Sequence, residues 1–145
     1  KKILTLLALT IACSINAQVQ HLYTNNSGST SASAIGYYTI ASGDGTLATG
    51  RDSKAIGDWS TAMGYKSEAN DNNSIAMGNR SKANGYTSLA MGYEAIANGE
   101  YSTAMGQSSV ADGKSSTAMG YGSYASDAFS FASISFAIVS FLLAT

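Results

Sequence analysis

The pentapeptide Ser74-Ile75-Ala76-Met77-Gly78 recurs along the chain at a constant interval of fourteen residues. Clear copies begin at Ser60, Ser88, Ser102 and Ser116, and weaker copies begin at Ala32 and Thr46. Seven copies tile residues 32–129 without an insertion or a deletion. A unit of this length cannot bury a core alone, so the fixed period predicts one structural unit stacked repeatedly on itself.

We number each copy of the repeat from its first residue, so that Ser60 is position one. Small residues then occupy the same positions in every copy, and we call each such set of equivalent positions a column. Positions three and ten are always Ala, position five is always Gly, and position eight is Thr, Ser or Ala. Because side chains alternate between the faces of a strand, positions one, three and five are predicted to share one face, with positions eight and ten on a second short strand. Position twelve is Gly or Asp, which predicts a turn that needs positive φ.

These columns predict an all-β fold, a narrow parallel β-roll with two strands in each fourteen-residue coil. The interior of such a coil has room only for Ser, Thr, Ala and Gly. Seven coils spaced by about 4.8 Å would form a rod roughly 34 Å long.

The opposite face of the first strand carries larger apolar residues at positions two and four, including every methionine of the chain. We expect this stripe to point outward and to pack against copies of the same chain around a symmetry axis, because large exposed apolar patches mark interfaces. The alternative is a monomer whose wider coil encloses the methionines. The predicted interface residues are Ile35, Leu47, Met63, Ile75, Met77, Leu89, Met91, Met105 and Met119.

Composition and charge argue against several classes of function. The net charge is -1 and 12% of the residues are charged, so no basic patch indicates a nucleic-acid partner. His21 is the only histidine and Cys13 the only cysteine, and no carboxylate pair or activated nucleophile recurs in register. We therefore predict no enzymatic activity, no metal and no cofactor.

The two ends of the chain differ from the repeats. Lys1 and Lys2 precede an apolar run over 3–15, which predicts a signal peptide over residues 1–17 and export of the mature chain. Cys13 leaves open the alternative of a lipoprotein acceptor. A polar lead-in over 18–31 precedes the repeats over 32–129, and residues 130–145 are predicted to be a degenerate apolar last coil or a truncated end.

The stretch Asn73-Ser74-Ile75-Ala76-Met77-Gly78 resembles the Asn-Ser-Val-Ala-Ile-Gly motif in the heads of trimeric autotransporter adhesins, the YadA-like heads. The resemblance implies a left-handed β-roll and a homotrimer whose shared core contains positions two and four. It also implies a cell-surface adhesin, on the outer membrane of a Gram-negative bacterium or secreted. The expected partners are an extracellular matrix protein such as collagen or a cell-surface receptor, with no membrane contact by the head, and the candidate ligand-binding motif is Asn73 to Gly78.

Two non-adhesive functions remain as alternatives. One is a structural or tail-fibre-like trimeric spacer, because similar coils could serve as a shaft. The other is an ice-binding solenoid with a flat threonine array. Threonine occupies position two in only three of the seven copies, which argues against the second alternative.

Overall fold

The computed structural model describes residues 26–27 and 31–133, which form two parallel β-sheets of eight strands each. Each coil contributes one longer strand to the first sheet and one two-residue strand to the second. The long-strand sheet contains β2 Ser33–Tyr37, β4 Leu47–Arg51, β6 Thr61–Tyr65, β8 Ile75–Asn79, β10 Leu89–Met91, β12 Thr103–Met105, β14 Thr117–Met119 and β16 Phe131–Ser133. The short-strand sheet contains β1 Asn26–Ser27, β3 Ile40–Ala41, β5 Lys54–Ala55, β7 Glu68–Ala69, β9 Lys82–Ala83, β11 Ile96–Ala97, β13 Val110–Ala111 and β15 Tyr124–Ala125.

Equivalent positions of neighbouring coils pair directly, so the strand register equals the sequence period. Ala62 pairs with Ala76 and Ala76 pairs with Ala90, always in parallel. The strands of each sheet therefore follow one another in chain order, and no strand is skipped. This topology confirms the predicted all-β parallel solenoid of fourteen-residue coils.

The interior is a column of small side chains contributed by positions one, three, eight and ten. The alanines from Ala48 to Ala118 at position three and from Ala41 to Ala111 at position ten are fully buried, and serines fill most of the other two columns. Thr39 has the largest of the fully buried side chains. Met63 and Met119 are 36% and 39% exposed, so the alternative of a wide coil that encloses the methionines is wrong.

Positive φ angles occur at positions seven and fourteen, not at position twelve as predicted. Tyr38 and Lys66 at position seven have φ of 53° and 55°, and Trp59 at position fourteen has φ of 54°. The position-twelve glycines have no positive φ, but they lie against the next coil. A Cβ added to Gly43 would lie 2.7 Å from the carbonyl carbon of Gly57. Close approach between coils, rather than backbone conformation, therefore favours glycine in this column.

Position five needs glycine for two reasons. The seven glycines in this column have φ between 106° and 133°, a region that other residues rarely adopt. A Cβ on Gly78 would also collide with the carbonyl oxygen of Gly92. That Cβ would point along the rod toward the next coil. The glycines at position five are also partly exposed, so the prediction that this position shares the interior face is wrong.

Replacing Gly78 with Ala should destabilise the fold by about 1–3 kcal/mol or more, because strain in φ adds to the collision with the next coil. Chemical denaturation followed by circular dichroism measures the change. Gly122→Ala is the matched control, since Gly122 has φ of 62° and no atom lies within 4 Å of the position of its Cβ. An equal decrease in the free energy of unfolding in the two variants would show that packing between coils does not restrict this column.

Several buried serine hydroxyls, including that of Ser81, have no hydrogen-bond partner among the described residues. Alanine replaces serine in the same column at Ala95, which is also fully buried. Ser81→Ala should therefore leave the free energy of unfolding unchanged or raise it by roughly 1 kcal/mol. Ser74→Ala should lower it by about 1 kcal/mol, since the Ser74 hydroxyl donates to the carbonyl of Asp71 at 2.5 Å. A large decrease in the free energy of unfolding in both variants would contradict this distinction between unpaired and hydrogen-bonded serines.

Candidate functional surface

The apolar side chains at positions two and four form one stripe on the outer face of the long-strand sheet. Met63 pairs with Met77, Met77 with Met91 and Met91 with Met105, so identical side chains stack along the rod. Ile35 and Ile75 are 39% and 37% exposed. The structure thus brings all nine predicted interface residues onto one surface of the chain, which we call the apolar stripe: Ile35, Leu47, Met63, Ile75, Met77, Leu89, Met91, Met105 and Met119. Their role in an interface stays a prediction.

The candidate ligand-binding motif is divided between the interior and the surface. Ser74 and Ala76 are fully buried within the coil. Ile75 and Met77 belong to the apolar stripe, and Asn73 is exposed at a turn with φ of 58°. Any direct ligand contact through side chains of this motif would therefore come from Asn73, Ile75 or Met77. The binding role of the motif stays a prediction.

The outer face of the short-strand sheet carries a row of alternating charges at position nine. Glu68 lies between two lysines, with Lys54 at 3.4 Å and Lys82 at 3.1 Å from its carboxylate oxygens. Burial raises the pKa of the Glu68 carboxyl, but the hydrogen bonds and charges of Lys82 and Lys54 outweigh it and hold the pKa below its ordinary value. The charge pattern thus supports the parallel register on this face.

The same column becomes apolar further along the rod, at Ile96 and Val110. A shallow groove with a volume of about 380 Å³ lies where the charged and apolar parts meet. Its lining residues are Arg80, Lys82, Glu94, Ile96, Ser108 and Val110. Both cations of the groove are already paired, Arg80 with Glu94 at 3.1 Å and Lys82 with Glu68.

An asparagine ladder follows position eleven, and sequence reasoning missed it. The side-chain amide of Asn70 donates to Asn84, that of Asn84 to Asn98 and that of Asn98 to Asp112, each at 2.6 Å. The phenol of Tyr124 donates to the other carboxylate oxygen of Asp112 at 2.7 Å. This hydrogen bond and the carboxylate charge raise the pKa of Tyr124. Reading column eleven down the repeats would have revealed three consecutive asparagines.

The described residues hold no group of three or more His, Cys, Asp or Glu side chains placed to bind a metal ion. The same part of the chain contains no helix of the length and apolarity needed to cross a membrane.

The YadA head domain repeat matches the chain over residues 28–53, 55–81, 83–109 and 111–133. These segments span most of the sequence, and the chain belongs to this family. It therefore carries the head repeats of a trimeric autotransporter adhesin, as the motif at Asn73 to Gly78 predicted. A comparison with curated proteins gave no match.

Membership of this family settles the broad class of function. YadA heads are adhesin domains without enzymatic activity, and they are exposed on the outer membrane of Gram-negative bacteria. The predicted signal peptide over 1–17, Cys13 and His21 lie outside the described residues, as does most of the predicted apolar end over 130–145. Those assignments stay predictions.

Protonation of Glu68 should destabilise the rod at acid pH. Because its pKa is lowered in the folded state, its contribution to stability is complete above the unfolded-state pKa and is lost as the pH falls through the folded-state pKa. Glu68→Gln should lower the melting temperature at neutral pH, and the difference from the unmodified chain should shrink below about pH 4. Glu100→Gln, which removes an exposed carboxylate paired with Lys114, is the control and should change the melting temperature less. If the difference in melting temperature between Glu68→Gln and the unmodified chain did not depend on pH, the stabilising role of the ionised Glu68 carboxylate would be refuted.

Proposed function

We propose that the chain forms a homotrimer through the apolar stripe and acts as an adhesin head. The observation that carries the trimer is the continuous outward row of Met, Leu and Ile side chains on a protomer whose interior holds only small residues. Burial of each such side chain contributes roughly 1.5–3 kcal/mol, whereas alanine contributes little. Family membership supports the same assembly, because YadA heads belong to trimeric adhesins.

The ligand we propose is an extracellular matrix protein such as collagen, or a receptor on another cell. Two features support adhesion by many weak contacts. Each coil presents equivalent positions at a spacing of about 4.8 Å, and a trimer would present three such surfaces. When several weak sites on one rigid body engage together, the overall affinity exceeds that of each site.

The variant Met77→Asp tests the trimer and its link to adhesion. Three buried carboxylates at one level of a shared core cost far more to desolvate than the methionines they replace, so this variant should sediment as a monomer. Its retention on immobilised collagen or on cells should fall at least tenfold because multivalent contact is lost. Sedimentation velocity and surface binding of the purified chain are the measurements.

Thr87→Asp is the matched control, since Thr87 is exposed at a turn in the same coil and outside the apolar stripe. It should remain trimeric and should bind as the unmodified chain does. A trimer that tolerates Met77→Asp would refute the assignment of the interface. A stable trimer that binds neither collagen nor cells would refute adhesion to these partners and favour the spacer.

A further inference from the structure

Tyrosines occupy position six in every second coil. The intervening coils carry planar polar side chains there. Aromatic and polar groups therefore alternate in a line that runs along the rod, at or just after the C-terminal ends of the long strands. The complete column is Tyr37, Arg51, Tyr65, Asn79, Tyr93, Gln107 and Tyr121. We call the four aromatic members the tyrosine row.

Backbone hydrogen bonds hold this column in register over its whole length. The N–H of position seven donates to the position-six carbonyl of the preceding coil, as from Asp52 to Tyr37, from Arg80 to Tyr65 and from Ser108 to Tyr93, each at 2.8 Å. The tyrosines are therefore separated by two strand spacings, or about 9.6 Å. Their spacing is fixed by the fold and not by flexible loops.

The tyrosine row is accessible on the protomer. Tyr37, Tyr93 and Tyr121 are 45%, 44% and 68% exposed, and Tyr65 is half-buried. The Arg51 guanidinium lies 5.5 Å from the ring centre of Tyr37 and 5.8 Å from that of Tyr65. This cation covers part of one face of each of those two rings, so Tyr93 and Tyr121 are the members of the row most open to a ligand.

Two of the three cations beside the tyrosine row are paired with carboxylates, and the third, Lys66, lies 5.2 Å from the ring centre of Tyr65. Arg51 lies 3.5 Å from the carboxylate of Asp52, and Arg80 lies 3.1 Å from that of Glu94. The row thus offers aromatic rings, amides and phenol hydroxyls rather than a strong field of one sign. This combination favours an uncharged ligand with both apolar faces and hydroxyl groups.

We propose that the tyrosine row binds an extended, neutral β-1,4-linked glycan. Pyranose rings have an apolar C–H face that packs on aromatic rings, and alternate sugars of such a glycan present the same face. Their repeat, one disaccharide, is close to the distance between consecutive tyrosines. Asn79 and Gln107 each carry both donors and an acceptor, so they can pair with the hydroxyls of the intervening sugars.

A proline-rich ligand is the main competitor, because one turn of a polyproline II helix is about 9.3 Å long. Its backbone offers carbonyl acceptors but no donors at proline, so it would leave the acceptor oxygens of Asn79 and Gln107 unused. A sugar hydroxyl donates and accepts. The alternation of rings with amides therefore favours the glycan.

The test measures binding of a β-1,4-linked N-acetylglucosamine hexamer to the purified chain by titration calorimetry. Maltohexaose, whose α-1,4 linkages coil the chain, should not bind. Tyr93→Ala and Tyr121→Ala should each weaken hexamer binding about three- to tenfold, as expected for loss of one aromatic contact. Tyr124→Ala, at an exposed tyrosine on the other sheet, should bind as the unmodified chain does.

A second variant tests the spacing itself. The double exchange Tyr93→Gln with Gln107→Tyr keeps the composition but moves one ring by a coil, so hexamer binding should weaken as in Tyr93→Ala. Binding unchanged by this exchange, no binding of the hexamer, or preference for a peptide with proline at every third residue would overturn the proposal. So would failure of tetranitromethane to nitrate Tyr93 and Tyr121 in the assembled protein.

This inference rests on the proposed adhesive function, yet the two can fail separately. A head that adheres to cells or collagen but ignores the hexamer refutes the glycan and leaves adhesion in place. A head that binds the hexamer through the tyrosine row but retains neither cells nor collagen supports the glycan and refutes the partners named above.

Discussion

The narrow cross-section of the coil is the constraint on which the whole structure depends. Alanine at positions three and ten is fully buried in coil after coil, and the remaining interior positions hold mainly serine. Because two facing strands lie so close together, no side chain larger than threonine is buried between them. Every Met, Leu, Ile, Tyr and Trp of the described repeats must therefore lie on the outside. The narrow interior thus determines which side chains form the surface.

Exact stacking of the coils converts each column of the repeat into a row on the surface. Like residues stack where contact between identical groups is favourable, as for methionine at position four and asparagine at position eleven. Charges alternate where identical groups would repel, as in the sequence Lys54, Glu68, Lys82. Each row has its own chemistry, although all rows share one backbone register.

Much of this architecture could be predicted because the period and the small columns leave few physical solutions. Strand positions, the alanine interior and the outward methionines all followed from residue size and alternation. The turn chemistry did not. Gly and Asp at position twelve indicate positive φ in isolated turns, but here the neighbouring coil restricts Gly43 through its proximity, a tertiary contact invisible in one coil. Non-glycine residues such as Tyr38 adopt the left-handed conformation instead.

The surface rows were harder to predict. The asparagine ladder occupies only part of column eleven, and the alternation in column six has twice the period of the backbone. Neither pattern is common to every coil, so comparing the coils for shared residues does not reveal it. The role of the apolar stripe in assembly was predicted from energetics, and it awaits the solution measurements described above.

Parallel pairing of equivalent residues has a consequence for how such a rod can change in length. Losing or duplicating fourteen residues removes or adds one complete layer and leaves every remaining strand with an equivalent neighbour, as Ala62, Ala76 and Ala90 illustrate. Any other increment would slide the columns out of alignment, and a shift by one residue would expose alanine in place of methionine. The length of the rod can therefore change only by whole coils, in single steps of about 4.8 Å.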